Sequence, residues 1–225
     1  MVLTLGIDDA GRGPVIGPMI LAGCLLNEQA EKELKKLGVK DSKQLTQKRR
    51  EFLSNIIKEK AEAFEVIIIP PKLIDGSSDE NVSRIKLNEL EAIASAKIIN
   101  KINKGFNKIK VIVDCPSPTI SKWQDFLKTQ IKDLSTLEIS CEHKADQNHV
   151  SVSAAAILAK CVREKEMDGL REKYGTGIGS GYCHDPLTCK FIEDNILKLK
   201  DDGIFRKNWS TWTDALKKKE QKNLF

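Results

Sequence analysis

Aspartates at three well-separated places in the chain, Asp8-Asp9, Asp114 and Asp146, each sit at or just past the end of an apolar element. An α/β fold gathers its functional groups at such ends, so four carboxylates from distant parts of the chain can meet. Buried together, carboxylates repel and take up protons. Oxygen-rich clusters are also what Mg²⁺ or Mn²⁺ coordinate, and a pair of such ions suits phosphoryl transfer. A single aspartate at a strand end is usually a turn former or helix cap, so the recurrence carries the argument and Asp114 alone does not. Directly after the acidic pair comes Gly11-Arg12-Gly13-Pro14. Glycines let a nucleic-acid backbone approach main-chain amides closely, and Arg12 adds a partner for phosphate. A tight hairpin loop with a solvated arginine would carry the same residues.

The elements that would position these groups are legible from periodicity. Residues 2–7 read as a buried strand delivering Asp8 and Asp9 at its end, and residues 19–26, after Gly17-Pro18, as a second strand antiparallel to it. Thr46 is placed to cap a helix carrying Phe52, Leu53, Ile56 and Ile57. Residues 64–69 form a strand stopped by Pro70-Pro71, and residues 81–103 carry apolar side chains in helical rhythm. The run 108–113 is a strand ending at Asp114 before Cys115-Pro116. A helix over 123–131 and a strand over 137–141 follow, and Asp146 falls just ahead of a long buried helix. Residues 175–181 form a flexible glycine loop leading to Tyr182, residues 188–200 a helix, and residues 206–225, with Trp209, Trp212 and three consecutive lysines, a basic helix or tail.

The 225 residues, 40% hydrophobic and 31% charged, describe a globular protein with a real core, and exclude disordered and collagen-like chains. The apolar runs fall far short of the roughly 20 residues that span a bilayer, so no membrane role is expected. The first residues lack the basic start of a secretory signal, and six scattered cysteines suit a reducing compartment, so the cytoplasm is the expected location. A net charge of +5 permits polyanion binding without demonstrating it.

The segment Gly6-Ile7-Asp8-Asp9-Ala10-Gly11-Arg12-Gly13-Pro14 resembles the N-terminal motif of type 2 ribonuclease H (ribonuclease HII), especially its archaeal branch. Lys40-Asp41-Ser42-Lys43-Gln44-Leu45, Val113-Asp114, His143-Lys144-Ala145-Asp146, Ser153-Ala154-Ala155-Ala156 and Gly179-Ser180-Gly181-Tyr182 follow in the family's order, so the resemblance spans nearly the whole chain. It implies an α/β, ribonuclease H-like fold: a mixed five-stranded sheet flanked by helices, with a catalytic domain over residues 1–185 and a small helical C-terminal portion and basic tail over 186–225. It implies Asp8, Asp9, Asp114 and Asp146 as ligands of two divalent ions, Mg²⁺ or Mn²⁺, with no organic cofactor. It implies that Gly11, Arg12 and Gly13 with Tyr182 recognise the ribonucleotide at an RNA to DNA junction, the loop amides sensing the 2′-hydroxyl and the tyrosine packing on the next sugar. Arg12 and Lys43 would contact phosphates. The implied reaction is endonucleolytic hydrolysis of the RNA strand of an RNA/DNA hybrid, or incision 5′ to a ribonucleotide embedded in duplex DNA, leaving 3′-hydroxyl and 5′-phosphate ends. A monomer is expected, with the tail as the place where a replication clamp would recruit it.

One departure stands out: the family carries Asp-Glu where this chain has Asp8-Asp9. Aspartate is one methylene shorter, and Mg²⁺ demands near-ideal octahedral geometry, so a weakened ligand predicts a reduced rate or a preference for Mn²⁺. The different-class alternative is a hybrid-binding protein whose catalysis is weakened or lost through Asp9. Type 3 ribonuclease H shares the acidic logic, but it usually carries an extra N-terminal domain and lacks the Gly-Arg-Gly loop, whereas here the acidic motif starts at residue 8. Junction resolvases of related fold would need dimerisation features, which are not found. The cysteines lack the C-x₂-C spacing of structural zinc sites, His149 and His184 are expected in structural roles, and Trp209 and Trp212 in packing.

Overall fold

The computed structural model describes residues 3–40, 45–76 and 85–222. Its centre is a five-stranded sheet in the order β3-β2-β1-β4-β5. β1 (Leu3–Ala10) pairs antiparallel with β2 (Met19–Asn27) and parallel with β4 (Ile109–Asp114), which pairs parallel with β5 (Leu137–Glu142). β3 (Ala63–Ile69) lies outside β2. The sheet is mixed and flanked by helices, as the resemblance implies.

The chain forms two compact units. The first, over residues 1–10, 20–67 and 85–162, holds the sheet with α1 (Glu28–Lys36), α2 (Gln47–Lys60), α4 (Leu87–Ile102), α5 (Ile120–Thr129) and the one-turn α6 (Ala145–Asn148). It also holds the N-terminal half of α7 (Val150–Tyr174). Strand pleating divides its core. Ile20, Ala22, Cys24 and Leu26, alternate residues of β2, pack with α1, α2 and the alanine run of α7. On the opposite face a Cβ on Gly23 would meet Ile98 of α4 at 2.3 Å, which fixes α4 against the odd-numbered side of β1 and β2. As expected, Thr46 caps α2, accepting the Arg49 amide at 3.3 Å.

The second unit comprises residues 11–19, 68–84 and 163–225. It contains α3 (Pro71–Asp75), a 3₁₀ turn at Thr176–Ile178, α8 (Pro186–Leu199) and α9 (Ser210–Lys222). Its core joins Val15 and Ile16 to Phe191 and Ile192 of α8, to Phe205, and to Trp212 of α9. Asp185 caps α8 ahead of Pro186, which fits the first helical turn because the amide it lacks would have had no partner there.

Four sequence expectations need adjustment. β1 runs through Asp8 and Asp9 to Ala10 instead of ending before them, because β2 keeps pairing as far as Ala10 with Ile20. The helix expected over 81–103 starts at Leu87, and residues 81–84 lie outside the described residues. The glycine stretch 175–181 is pinned: Asp185 accepts from the Ser180 amide and hydroxyl at 2.7 Å, and the Gly181 carbonyl takes the amides of Val15 and Ile16. The basic helix or tail expected from residue 206 is present as α9 from Ser210, while Arg206 ahead of it is completely buried. Among the described residues no helix is long and apolar enough to cross a membrane.

Candidate active site

β1 and β4 pair in parallel up to Ile7 with Val113, and one further step of the same register brings Asp8 level with Asp114. Both then lie on the face that carries Gly6 and Ile112, and Ile112 packs against Ala145 and Val152. The end of β5 leads directly into α6, whose Ala145 amide donates to Asp114 Oδ1 at 2.9 Å. Asp146, 3% exposed, is the next residue. Asp8, Asp114 and Asp146 are thus brought together in the first unit, as the sequence suggests.

Local backbone features hold this arrangement. Gly6 lies two residues before Asp8 on the same face, and a Cβ there would stand 2.1 Å from the Ser151 carbonyl carbon, so the first turn of α7 rests directly on the β1 backbone. Lys144 adopts the left-handed conformation (φ 56°, ψ 38°), the one non-glycine residue with positive φ among the described residues. That turn swings the chain from β5 into α6 and sets the direction of Asp146, a strained conformation of the kind that functional sites retain. The Ser153 hydroxyl secures it from α7, donating to the carbonyls of Asp146 at 2.5 Å and His149 at 3.1 Å.

Asp9 faces the other way. The pleat sends it to the side of Ile7 and Leu21, where a small cavity reaches from Asp8, Asp9 and Asp114 to Glu91 and Ser95 of α4 and to Trp123 of α5. Glu91 is a carboxylate only 2% exposed, and sequence reasoning missed it. The available signal was an acidic residue at a position of α4 where the helical rhythm of Leu87, Ala94 and Ile98 calls for an apolar one.

The electrostatics follow from this crowding. The Asp8 carboxyl is held well above the usual carboxylate range, first by burial, then by the negative charges of Asp9 and Asp114, with a smaller contribution from Asp146. The Asp9 amide, donating to Asp8 Oδ1 at 2.7 Å, opposes the shift without cancelling it. An oxygen-only group of carboxylates, Asp8 and Asp146 buried and Asp9 and Asp114 half-buried, matches a hard divalent cation in chemistry. As oriented, no three His, Cys, Asp or Glu side chains among the described residues already converge at metal-ligand spacing, so the fit is one of donor type and charge. Nearby, His149 pairs with Glu142 at 2.9 Å, and that contact lowers the Glu142 carboxyl.

Gly11, Arg12, Gly13 and Tyr182 belong to the second unit. Gly11 has φ +79°, and a Cβ on it would meet Arg163 Nε at 2.3 Å, so both its conformation and its neighbour require glycine. Gly13 is less constrained: a Cβ there would reach only Tyr182 Cε1, at 3.9 Å. The Arg163 guanidinium stands 5.1 Å from the centre of the Tyr182 ring and donates to the Ser180 carbonyl at 3.2 Å. Burial lowers its affinity for a proton. Gly11, Arg12, Gly13 and Tyr182 are therefore brought together. His184 is exposed, with its ring 5.4 Å from that of Tyr182. Lys43 lies outside the described residues.

Comparison with known proteins agrees in sequence and in fold. The sequence profile of the family described as Ribonuclease HII matches residues 5–212. Ribonuclease HII of Methanococcus maripaludis (strain C7) is 38% identical over 99% of this chain and 91% of its own. The crystal structure of ribonuclease H2 from Pyrococcus horikoshii OT3 superposes with a TM-score of 0.83 at 34% identity, covering 96% of this chain and 98% of that one. RNase HII of Archaeoglobus fulgidus, solved as a complex with PCNA, gives 0.79 at 34% identity, covering 94% and 96%. Bst-RNase HIII in complex with Mn²⁺ shares the fold, with a TM-score of 0.76 at 20% identity over 96% of this chain and 69% of that one.

Proposed function

This chain belongs to the ribonuclease HII family and is an endonuclease of the ribonuclease H type, and we propose that it hydrolyses the RNA strand of RNA/DNA hybrids and incises duplex DNA on the 5′ side of an embedded ribonucleotide. The single observation that carries this reading is the convergence of the buried Asp8 and Asp146 with the half-buried Asp114, Asp9 adjoining, where burial and the neighbouring carboxylates push the Asp8 carboxyl above the usual range.

Asp8, Asp9, Asp114 and Asp146 would hold divalent ions, Mg²⁺ or Mn²⁺, which when bound lower the pKa of water and stabilise a departing alkoxide. Water attacks the scissile phosphorus, the bond to the 3′-oxygen breaks, and the products carry a 3′-hydroxyl and a 5′-phosphate. The Ala145 amide on Asp114 and the Asp9 amide on Asp8 limit how these carboxylates can turn, so their geometry is set before substrate arrives. Arg12 meets a backbone phosphate. The main-chain amides of the Gly11-Arg12-Gly13 turn take the ribose 2′-hydroxyl, the one group that separates RNA from DNA at that position. Tyr182, backed by Arg163, packs against the adjoining sugar. In this reading residues 1–185 form the catalytic portion and residues 186–225 help hold the duplex. Lys43 adds a second phosphate contact. The PCNA complex of the Archaeoglobus fulgidus relative supports recruitment of this chain to a sliding clamp, and in this reading the C-terminal segment is what the clamp takes.

The test is cleavage of a duplex carrying one ribonucleotide by the wild-type protein and by Asp114→Asn, with and without EDTA. The expected result is cleavage that EDTA abolishes and the variant loses by about 100-fold or more, while still binding the duplex. A variant that cuts as fast as wild type would move the reaction away from this cluster.

A further inference from the structure

Arg206 is the largest fully buried side chain among the described residues. Burying a guanidinium costs several kcal/mol in lost hydration unless its donors are satisfied. Here they are satisfied in one place. Nη2 donates to the Gly11 carbonyl at 2.6 Å, Nη1 to the Arg12 carbonyl at 2.7 Å, and Nε and Nη2 to the Gly17 carbonyl at 3.1 and 3.0 Å. The Arg206 main-chain amide donates to Val15 O at 2.8 Å. Trp209, three residues on, stacks its ring 5.1 Å from the Arg206 guanidinium carbon and donates its indole N–H to the Gly13 carbonyl at 2.9 Å. One short segment therefore holds the carbonyls of Gly11, Arg12, Gly13, Val15 and Gly17.

Fixing a carbonyl also fixes the amide that shares its peptide plane, because the C=O and N–H of a trans peptide point in opposite directions. With the Gly11 and Arg12 carbonyls turned onto Arg206, the N–H groups of Arg12 and Gly13 are aimed away from it. Two consecutive amides aimed together form a small concave donor site for an oxygen acceptor. The planar five-donor fork of arginine is suited to gripping several carbonyls in a fixed relation, which a lysine point charge is not.

We infer that Arg206 is a positioning residue for ribose recognition, setting the direction of the Arg12 and Gly13 amides and thereby the discrimination between a ribonucleotide and a deoxyribonucleotide. Trp209, whose own acceptor, the Gly13 carbonyl, shares its peptide plane with Pro14 and no N–H, acts by holding the Arg206 guanidinium against its ring. The inference rests on the proposed reading of the Gly11-Arg12-Gly13 turn and adds the device that orients it. Neither residue touches substrate in this account, so their effect is on selectivity.

The experiment compares the affinity of the full-length protein, in EDTA, for two duplexes that differ by one 2′-hydroxyl, using wild type, Arg206→Lys and Trp209→Leu, which takes the ring off the guanidinium. Thermal unfolding is followed alongside. Wild type should prefer the ribonucleotide duplex, and each variant should lower that preference by about fivefold, the worth of one oriented hydrogen bond, with all-DNA affinity little changed. If Arg206→Lys does not fold, Trp209→Leu carries the test, since Trp209 is only partly buried. Unchanged preference in folded variants, or an equal fall for both duplexes, would overturn the inference and leave the two residues as scaffold. A wild-type protein that shows no preference would instead overturn the reading of the turn itself, and this is seen before any variant is compared.

Discussion

A Cβ placed on Gly6 would lie 2.1 Å from the carbonyl carbon of Ser151. No real side-chain carbon approaches backbone so closely, so β1 and the first turn of α7 meet where only hydrogen fits. The contact is one residue pair from Asp8, and α6, bearing Asp146, immediately precedes this turn. Gly6→Ala must push the helix off the strand. Overpacking costs about 1–3 kcal/mol, and more where the obstacle is backbone. The expected outcome is a lower urea midpoint together with loss of cleavage. A variant with wild-type stability and activity would show that the close contact is not needed.

Asp9 is expected to limit the rate with Mg²⁺. It stands where the resemblance implies glutamate, and although the pleat turns it to the α4 side of the sheet, it lines one small cavity with Asp8, Asp114 and Glu91. A side chain longer by one methylene can reach around the strand end. Asp9→Glu should raise Mg²⁺-supported single-turnover cleavage by about tenfold, a modest effect for a change in a ligand shell, and narrow any advantage of Mn²⁺. An unchanged or slower rate removes the explanation. Binding without cleavage by wild type, rescued by Asp9→Glu, would favour a hybrid-binding protein with lost catalysis.

Arg12 is assigned to phosphate, so its removal should change the salt dependence of binding. For Arg12→Ala the slope of log affinity against log salt should become shallower by about one unit, with affinity falling for ribonucleotide and all-DNA duplexes alike. A slope identical to wild type would place Arg12 off the phosphate backbone.

The Asp185 carboxyl is lowered to about 2, first by the Ser180 hydroxyl and then by the Ser180 amide. Its folded value lies below its unfolded one, so the stability it contributes is fully present above about pH 4 and is lost as pH falls through about 2. Asp185→Asn should flatten the loss of stability over that window in acid unfolding curves. It should also loosen the turn bearing Tyr182, because the Ser180 amide and hydroxyl both donate to Asp185. An acid limb identical to wild type would show that other carboxylates dominate.

What the sequence revealed and what it hid have physical reasons. Strand ends and helical rhythm located Asp114 and Asp146 because apolar periodicity stops where those residues begin. The same reasoning ended β1 too early: a strand that stays paired with one neighbour after its pairing with the other has ended can carry acidic residues that composition alone assigns to a loop. Glu91 was hidden because an acidic residue inside an amphipathic helix looks like surface until the cavity beside Asp9 is known. Arg206 was hidden for the opposite reason. A cation in a lysine-rich terminal segment reads as solvated, and only the carbonyls of a loop nearly 200 positions away in the chain make its burial affordable. Close packing at Gly6 and the left-handed turn at Lys144 depend on tertiary contacts that leave no local pattern.

The most direct measurement is to map, at single-nucleotide resolution, the cut made in a labelled DNA duplex containing one ribonucleotide, with Mg²⁺, with Mn²⁺ and with EDTA. A single incision immediately 5′ to the ribonucleotide, dependent on divalent metal and leaving 3′-hydroxyl and 5′-phosphate ends, is the predicted result. Cleavage on the 3′ side, cleavage that persists in EDTA, or no cut with either metal would contradict the account.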